Sequence, residues 1–171
     1  MENFKVLFTK EELEKRIKEV AEEIDKDYFG KEIVIVCVLK GAVFFTVDLM
    51  KNIKAITNLE FIRVSSYSGT ESTGNVVLKM DITEEIKDKD VLIVEDIVDT
   101  GYTLKFLKEY LSNKNPNSLK IAVLIDKKER REVDIEADYV GFTIPNKYVT
   151  GYGFDIDGKY RNLPYVGYVE N

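Results

Sequence analysis

The chain of 171 residues has no histidine, a single cysteine and no surplus of positive charge. The first absence excludes the most. Without histidine there is no Ser–His–Asp triad, no imidazole metal site and no imidazole general base, so proton transfer falls to Asp, Glu, Lys or Tyr. Any metal must be a hard, oxygen-liganded ion such as Mg²⁺. Cys37, standing alone, rules out an internal disulfide and fits a reducing cytoplasm. Inside the apolar run "IVIVCV" it reads as a small buried side chain, not a nucleophile. With 31 acids against 25 bases the net charge is −6, which argues against nucleic acid or an anionic membrane as the main partner. The longest apolar runs fall short of a membrane span, and the opening "MENFKVLFTKEELEK" lacks the apolar core of a signal peptide.

What is present has the proportions of one soluble globular domain over residues 1–171, with 44% apolar and 33% charged residues and no dividing linker. Thr9 and Glu12 form a capping box, and Leu13, Ile17, Val20, Ala21 and Ile24 follow at helical spacing as far as Gly30. Apolar strands are expected at 33–39, 59–64, 76–80, 91–95 and 119–125. A helix is expected after "LKGA" and another after Gly101, the second ending before Pro116. The stretch 65–75, "SSYSGTESTGN", is small and polar and reads as a mobile loop, and the tail is rich in β-formers and aromatics. Alternating strands and helices imply an α/β fold with a parallel twisted sheet flanked by helices, whose ligands collect beyond the carboxyl ends of the strands. Three such ends carry polar or glycine-containing sequence: 39–42, 95–103 and 126–128.

The most informative stretch is "VLIVEDIVDTGYTL" at 91–104, where four apolar residues run into Glu95, Asp96 and Asp99. Acids crowded at the end of a buried strand repel one another unless a cation or ligand offsets them. "DTGYT" (99–103) would present free amides and the positive end of a helix dipole, which suits a phosphate. On those five residues alone, Asp99 or Thr100 acting as a simple helix cap is the better reading. Glu95 and Asp96 shift the balance, because a cap needs one acid and this loop has three. Paired carboxylates can accept hydrogen bonds from a vicinal diol and can help hold Mg²⁺. Phosphate and diol side by side describe a ribose 5-phosphate.

The stretch resembles the phosphoribosyl-pyrophosphate signature of type I phosphoribosyltransferases: an apolar strand, two acids, two apolar residues, then D-T-G-x-T. "VLKGAVFF", "RVSSYSGTESTGN", "LIDKKERR", "GFTIPNKYVTGYGFD" and "YRNLPYVGYV" are similar, in order and spacing, to the bacterial hypoxanthine phosphoribosyltransferases. The resemblance implies that fold with a small β-rich hood from the terminal segments, in which 138–171 contribute to base binding and 65–75 form the lid. It also implies a Mg²⁺-dependent transferase that joins hypoxanthine, and guanine, to 5-phosphoribosyl 1-pyrophosphate in purine salvage. Dimers or tetramers of the same chain are implied as well, with the "AVFFTVDLM" helix available for that contact.

Residue roles follow from the resemblance position by position. Glu95 and Asp96 would bind the ribose hydroxyls and the metal, with Asp155 as a further metal ligand in the purine site. Thr100, Gly101, Tyr102 and Thr103 would cradle the 5-phosphate, Tyr102 mainly through its backbone. Asp99 would accept the purine proton at N7. Leu39, Lys40 and Gly41 match the pyrophosphate loop, where the family has a non-proline cis peptide between the first two, and Arg161 matches a pyrophosphate contact. Lys127 would donate to the purine O6, Tyr148 would stack on the base and Val149 would offer backbone groups to its edge, while Ser66 and Tyr67 belong to the lid. Taken without the family, Lys127 is a solvated lysine in a charged run, Tyr148 an ordinary core aromatic, and Asp155 and Arg161 solvated loop charges.

Rival readings remain. Lys127 disfavours an adenine transferase, because adenine carries an amino donor where hypoxanthine and guanine carry an acceptor; a xanthine–guanine transferase is separated only by resemblance. An RNA-binding regulator on the same fold would need a basic face, and a phospho-acceptor receiver would leave Thr100, Gly101 and Thr103 without a task. "GTESTGN" has P-loop glycine spacing but carries Asn75 where the lysine belongs. Tyr102 and Tyr148 stand where relatives often have other residues, Phe being common at the second.

Overall fold

A computed structural model describes residues 4–66 and 75–169. Its centre is a six-stranded sheet in the order β4 (Val76–Met80), β3 (Ile56–Ser66), β2 (Glu32–Val38), β5 (Asp90–Val98), β6 (Ser118–Asp126), β7 (Tyr139–Thr143). All pairs are parallel except β3 with the edge strand β4, so the all-parallel expectation gives way at one edge. The reason is connectivity: the stretch between Ser66 and Val76 is too short for the crossover that a parallel pair needs.

The β2 run "EIVIVCV" is buried at every position after Glu32, as a strand covered on both faces should be. Ile33 and Ile35 join a core with α1 (Lys10–Tyr28) and α2 (Val43–Asn52), while Val34, Val36 and Val38 join a second core with α3 (Tyr102–Ser112). Period-two alternation thus builds two layers from one unbroken apolar segment. α1 starts at the expected capping box: the Glu12 amide donates to Thr9 Oγ1 at 3.2 Å and the Thr9 amide to Glu12 Oε2 at 2.8 Å.

β1 (Lys5–Phe8), β9 (Val166–Tyr168) and β8 (Val149–Thr150) make a separate three-stranded antiparallel sheet. This is the hood, built from both ends of the chain. Residues 139–143, expected in the hood, instead close the main sheet as β7, whose partner is β6. Strand order reverses between β2, which continues to β3, and β5, which continues to β6. That switch point opens a crevice beyond the strand ends, flanked by 39–42 on one side and 95–103 on the other.

Candidate active site

Two cavities adjoin at this crevice. The first, about 290 Å³, is walled by Glu95, Asp96 and Asp99 and by Thr100, Gly101 and Thr103 of the turn into α3, with Ser66 at its edge. The second, about 240 Å³, is walled by Lys127, Tyr148, Val149, Phe154 and Asp155. Asp96, Ile97 and Asp99 line both.

The geometry of the turn into α3 starts from Gly101. It is the N-cap of α3 with φ +97°, a left-handed conformation that glycine adopts at little cost, and it offers no side chain to the first-turn amides. The cap reading for Asp99 or Thr100 therefore fails. Those amides remain for a ligand, with the helix dipole behind them. Tyr102 walls neither cavity, and the Glu132 carboxylate beside its hydroxyl raises its pKa.

Glu95 and Asp96 sit within β5, past the last residue of β2 that pairs with it, so the strand extends further than the sequence suggested. Burial, reinforced by the adjacent Asp96 carboxylate, pushes Glu95 well above the usual carboxylate range. Burial also raises Asp96, against the opposing pull of hydrogen bonds from Glu95 and the Ile97 amide and of the Arg161 charge. A cation beside two neighbouring acids held reluctant to ionise would favour their charged forms. Among the described residues no three acids, cysteines or histidines converge into a metal cage. The oxygen-only donor set fits Mg²⁺ held by one or two carboxylates and completed by substrate oxygens.

The peptide between Leu39 and Lys40 is cis. Gly41 follows, packed so closely on Asp96 that a Cβ there would lie 1.7 Å from Oδ2. On the other side Gly153 presses on Gly41, its own Cβ position 2.1 Å from the Gly41 carbonyl oxygen. Leu39, Lys40 and Arg161 wall neither cavity. Arg161 binds Asp155 Oδ1 through Nη2 at 2.6 Å and donates through Nη1 to the Gly153 carbonyl at 2.5 Å. Asp155 also accepts the Gly158 amide at 2.7 Å.

Lys127 is only 6% exposed, which removes the solvated-lysine alternative. Its Nζ lies 3.8 Å from Asp99 Oδ2, while Arg130 Nε donates to Asp99 Oδ1 at 3.0 Å. The parallel register that pairs Val98 with Asp126 sets Lys127 beside Asp99. Val149 is buried, whereas Tyr148 is 62% exposed at the cavity mouth and is not a core residue. Ser66 ends β3; Tyr67 and the rest of the expected lid through residue 74 lie outside the described residues. Cys37 is fully buried, as expected.

Sequence reasoning missed Gly153, Phe154, Arg130 and Arg131. The two glycines in "GYGFD" were the available signal for the first two. "DKKERRE" gave none for the arginines, since it reads as a solvated charge run.

The family model described as phosphoribosyl transferase domain matches residues 5–157. The chain belongs to the phosphoribosyl transferase family. Its domain is 48% identical over 164 residues, covering 95% of this chain and 91% of the relative, to a hypoxanthine-guanine phosphoribosyltransferase of Streptococcus thermophilus. It is 49% identical over 163 residues, with the same coverage, to the Staphylococcus aureus protein of that name. A crystal structure of a hypoxanthine-guanine phosphoribosyltransferase from Bacillus anthracis superposes with a TM-score of 0.94 at 46% identity, covering 98% of this chain and all of that one. The phosphoribosyl transferase fold is therefore the type I kind: a mostly parallel sheet between helices with a small antiparallel sheet beside it.

Proposed function

We propose that this transferase converts hypoxanthine and guanine, with 5-phosphoribosyl 1-pyrophosphate, to the purine 5′-monophosphates and pyrophosphate. The observation that carries the reading is the pair of adjoining cavities with Asp99 in the wall of both. One has the features of a phosphate-and-diol site and the other has Lys127 in its wall.

The Lys127–Asp99 pair supports the base preference. A purine entering with its O6 and N7 edge foremost exchanges their 3.8 Å contact for two hydrogen bonds, Lys127 donating to O6 and Asp99 accepting the N7 proton. Adenine offers a donor where Lys127 needs an acceptor, and is rejected. Tyr148 covers the base and Val149 meets its pyrimidine edge. As N9 attacks C1 of the sugar, the bond from C1 to the pyrophosphate oxygen breaks and the electron pair leaves with pyrophosphate. Asp99 takes the purine proton. Glu95 and Asp96 hold the ribose hydroxyls, Thr100, Gly101 and Thr103 hold the 5-phosphate, and the Lys40 and Gly41 amides, with Arg161, face the departing pyrophosphate. Glu95, Asp96 and Asp155 would hold Mg²⁺, which when bound neutralises the charge of the diphosphate. Ser66 stands at the edge of the first cavity.

A second copy of this chain over the outward face of α2, where Phe44 and Val47 stay exposed, belongs to the same proposal as a dimer or tetramer. The cytoplasmic assignment does too; among the described residues no helix is long and apolar enough to cross a membrane.

Steady-state turnover with 5-phosphoribosyl 1-pyrophosphate and Mg²⁺ against four bases tests the reading. Fast product from hypoxanthine and guanine with little from adenine or xanthine is expected. Preferential use of adenine, or no reaction with any base, would overturn it.

A further inference from the structure

The charged run after β6 hides an internal clamp. Arg131 is largely buried and its partner Asp126 is fully so. All three guanidinium nitrogens are engaged, each with a different segment. Nη2 donates to Asp126 Oδ1 at 2.5 Å, Nη1 to the Asp99 carbonyl at 2.7 Å and Nε to the Ile135 carbonyl at 3.1 Å. The arginine stem also lies under the phosphate loop, its Cδ 3.0 Å from where a Cβ on Gly101 would sit.

The direction of these bonds matters. A trans peptide is planar, with its carbonyl and the next amide pointing opposite ways. Arg131 holds the Asp99 carbonyl, so the Thr100 amide in the same plane is turned away from Arg131. The next plane is fixed the same way, because the Glu132 amide donates to the Thr100 carbonyl at 2.9 Å, which turns the Gly101 amide outward as well. Two successive peptide planes are thus pinned from behind, and Thr100 and Gly101 both line the first cavity. Neither amide donates to a backbone carbonyl of the described residues.

We infer that Arg131, held in place by Asp126, is a positioning residue that fixes the phosphate-binding loop from behind and aims the Thr100 and Gly101 amides at one anion. The inference rests on the transferase reading above and adds to it a residue that touches no substrate. The planar fork of arginine serves three acceptors in fixed directions, which a lysine ammonium on a flexible stem does not reproduce. Asp126 supplies the anchoring charge; its Oδ2 has no hydrogen-bond partner among the described residues, so Arg131 is its one ionic contact there.

Removing Arg131 alone strands a buried carboxylate and endangers the fold. The test therefore uses the double variant Asp126→Leu/Arg131→Met, which removes both charges, beside Arg131→Lys. Melting temperature, calorimetric binding of ribose 5-phosphate and KM for each substrate are measured on both. The inference expects a double variant that melts near the wild type, yet binds ribose 5-phosphate about 10- to 100-fold more weakly, with KM for the sugar diphosphate rising in step and KM for the purine much less. Arg131→Lys should show the same split, and it decides the matter if the double variant does not fold. Wild-type affinity for ribose 5-phosphate in a folded variant would overturn the inference, as would equal losses for phosphate and purine. Failure of the transferase reading would instead appear as absent turnover in the wild type, whereas ribose 5-phosphate binding needs no turnover.

Discussion

The two cavities are neighbours of similar size, but they are assembled differently. Every lining residue of the first except Ser66 comes from the single stretch 95–104, where a strand runs directly into a helix. The second draws on four separate stretches: 96–99, Lys127, 148–149 and 154–155. Its shape depends on the register of β5 with β6 and on where the hood docks. A site built from one local turn keeps its geometry as long as that turn forms. A site built from four segments inherits every displacement between them. The difference suits the proposed chemistry, because the sugar diphosphate is the same in every turnover while the base is what has to be discriminated.

Three experiments would sharpen or break this division. The largest effect belongs to Asp99, the group common to both cavities that is assigned a proton. Asp99→Asn keeps the shape and removes the base, so kcat should fall by about 10²–10⁴-fold while KM for the sugar diphosphate changes little. Losing both equally would mean that Asp99 belongs to the phosphate half and carries no proton. Next comes Lys127→Met, which keeps the buried stem and removes the charged donor. KM for hypoxanthine and guanine should rise about 10- to 100-fold, as expected for one charge-assisted hydrogen bond. A comparable rise in KM for the sugar diphosphate would show that the two halves are not separable.

The effect furthest from the substrates lies beneath both halves, at Cys37. Burial holds its thiol up at about 11, against 9.0 for an ordinary cysteine, with the charges of Glu95 and Asp96 adding a little. Below pH 9 the thiol is protonated in folded and unfolded chains alike, and its contribution to stability is fully present. As pH rises from 9 toward 11 only the unfolded chain loses the proton, so that contribution is lost, amounting to roughly 2–3 kcal/mol. Urea unfolding of wild type and Cys37→Ala on either side of this window should show a steeper loss in the wild type. Parallel losses would mean that the thiol is not sealed beneath the sheet.

Legibility in the sequence follows the same division. The Thr9–Glu12 cap, the β2 and β5 runs and the helix after Gly101 are written in adjacent residues, and local physics was enough to read them. β1 went unread because four residues gain strand character only by pairing with β9 at the far end of the chain. The antiparallel direction of β4 follows from its return beside β3, and the transfer of β7 from hood to main sheet from its pairing with β6; neither is specified by the strand's own residues. In the site, the phosphate and diol reading of 95–103 could be argued from residue chemistry. Lys127, Tyr148, Asp155 and Arg161 could be named only through a family resemblance, since nothing local distinguishes a buried lysine at the end of β6 from a solvated one. Arg131 lay beyond both routes, its partners being two backbone carbonyls and a carboxylate that only folding brings to it.

The contact of Asp96, Gly41 and Gly153 has a consequence for how such a chain can change over generations. At Gly41 the next carbon atom would overlap the Asp96 carboxylate, and at Gly153 the Gly41 carbonyl, so a side chain at either has to displace its neighbour. Tyr148, at the open mouth of the base cavity, has no such constraint. Inherited shifts in base affinity can therefore enter through the rim at little structural risk, while the two glycines form a joint that descent has to leave alone.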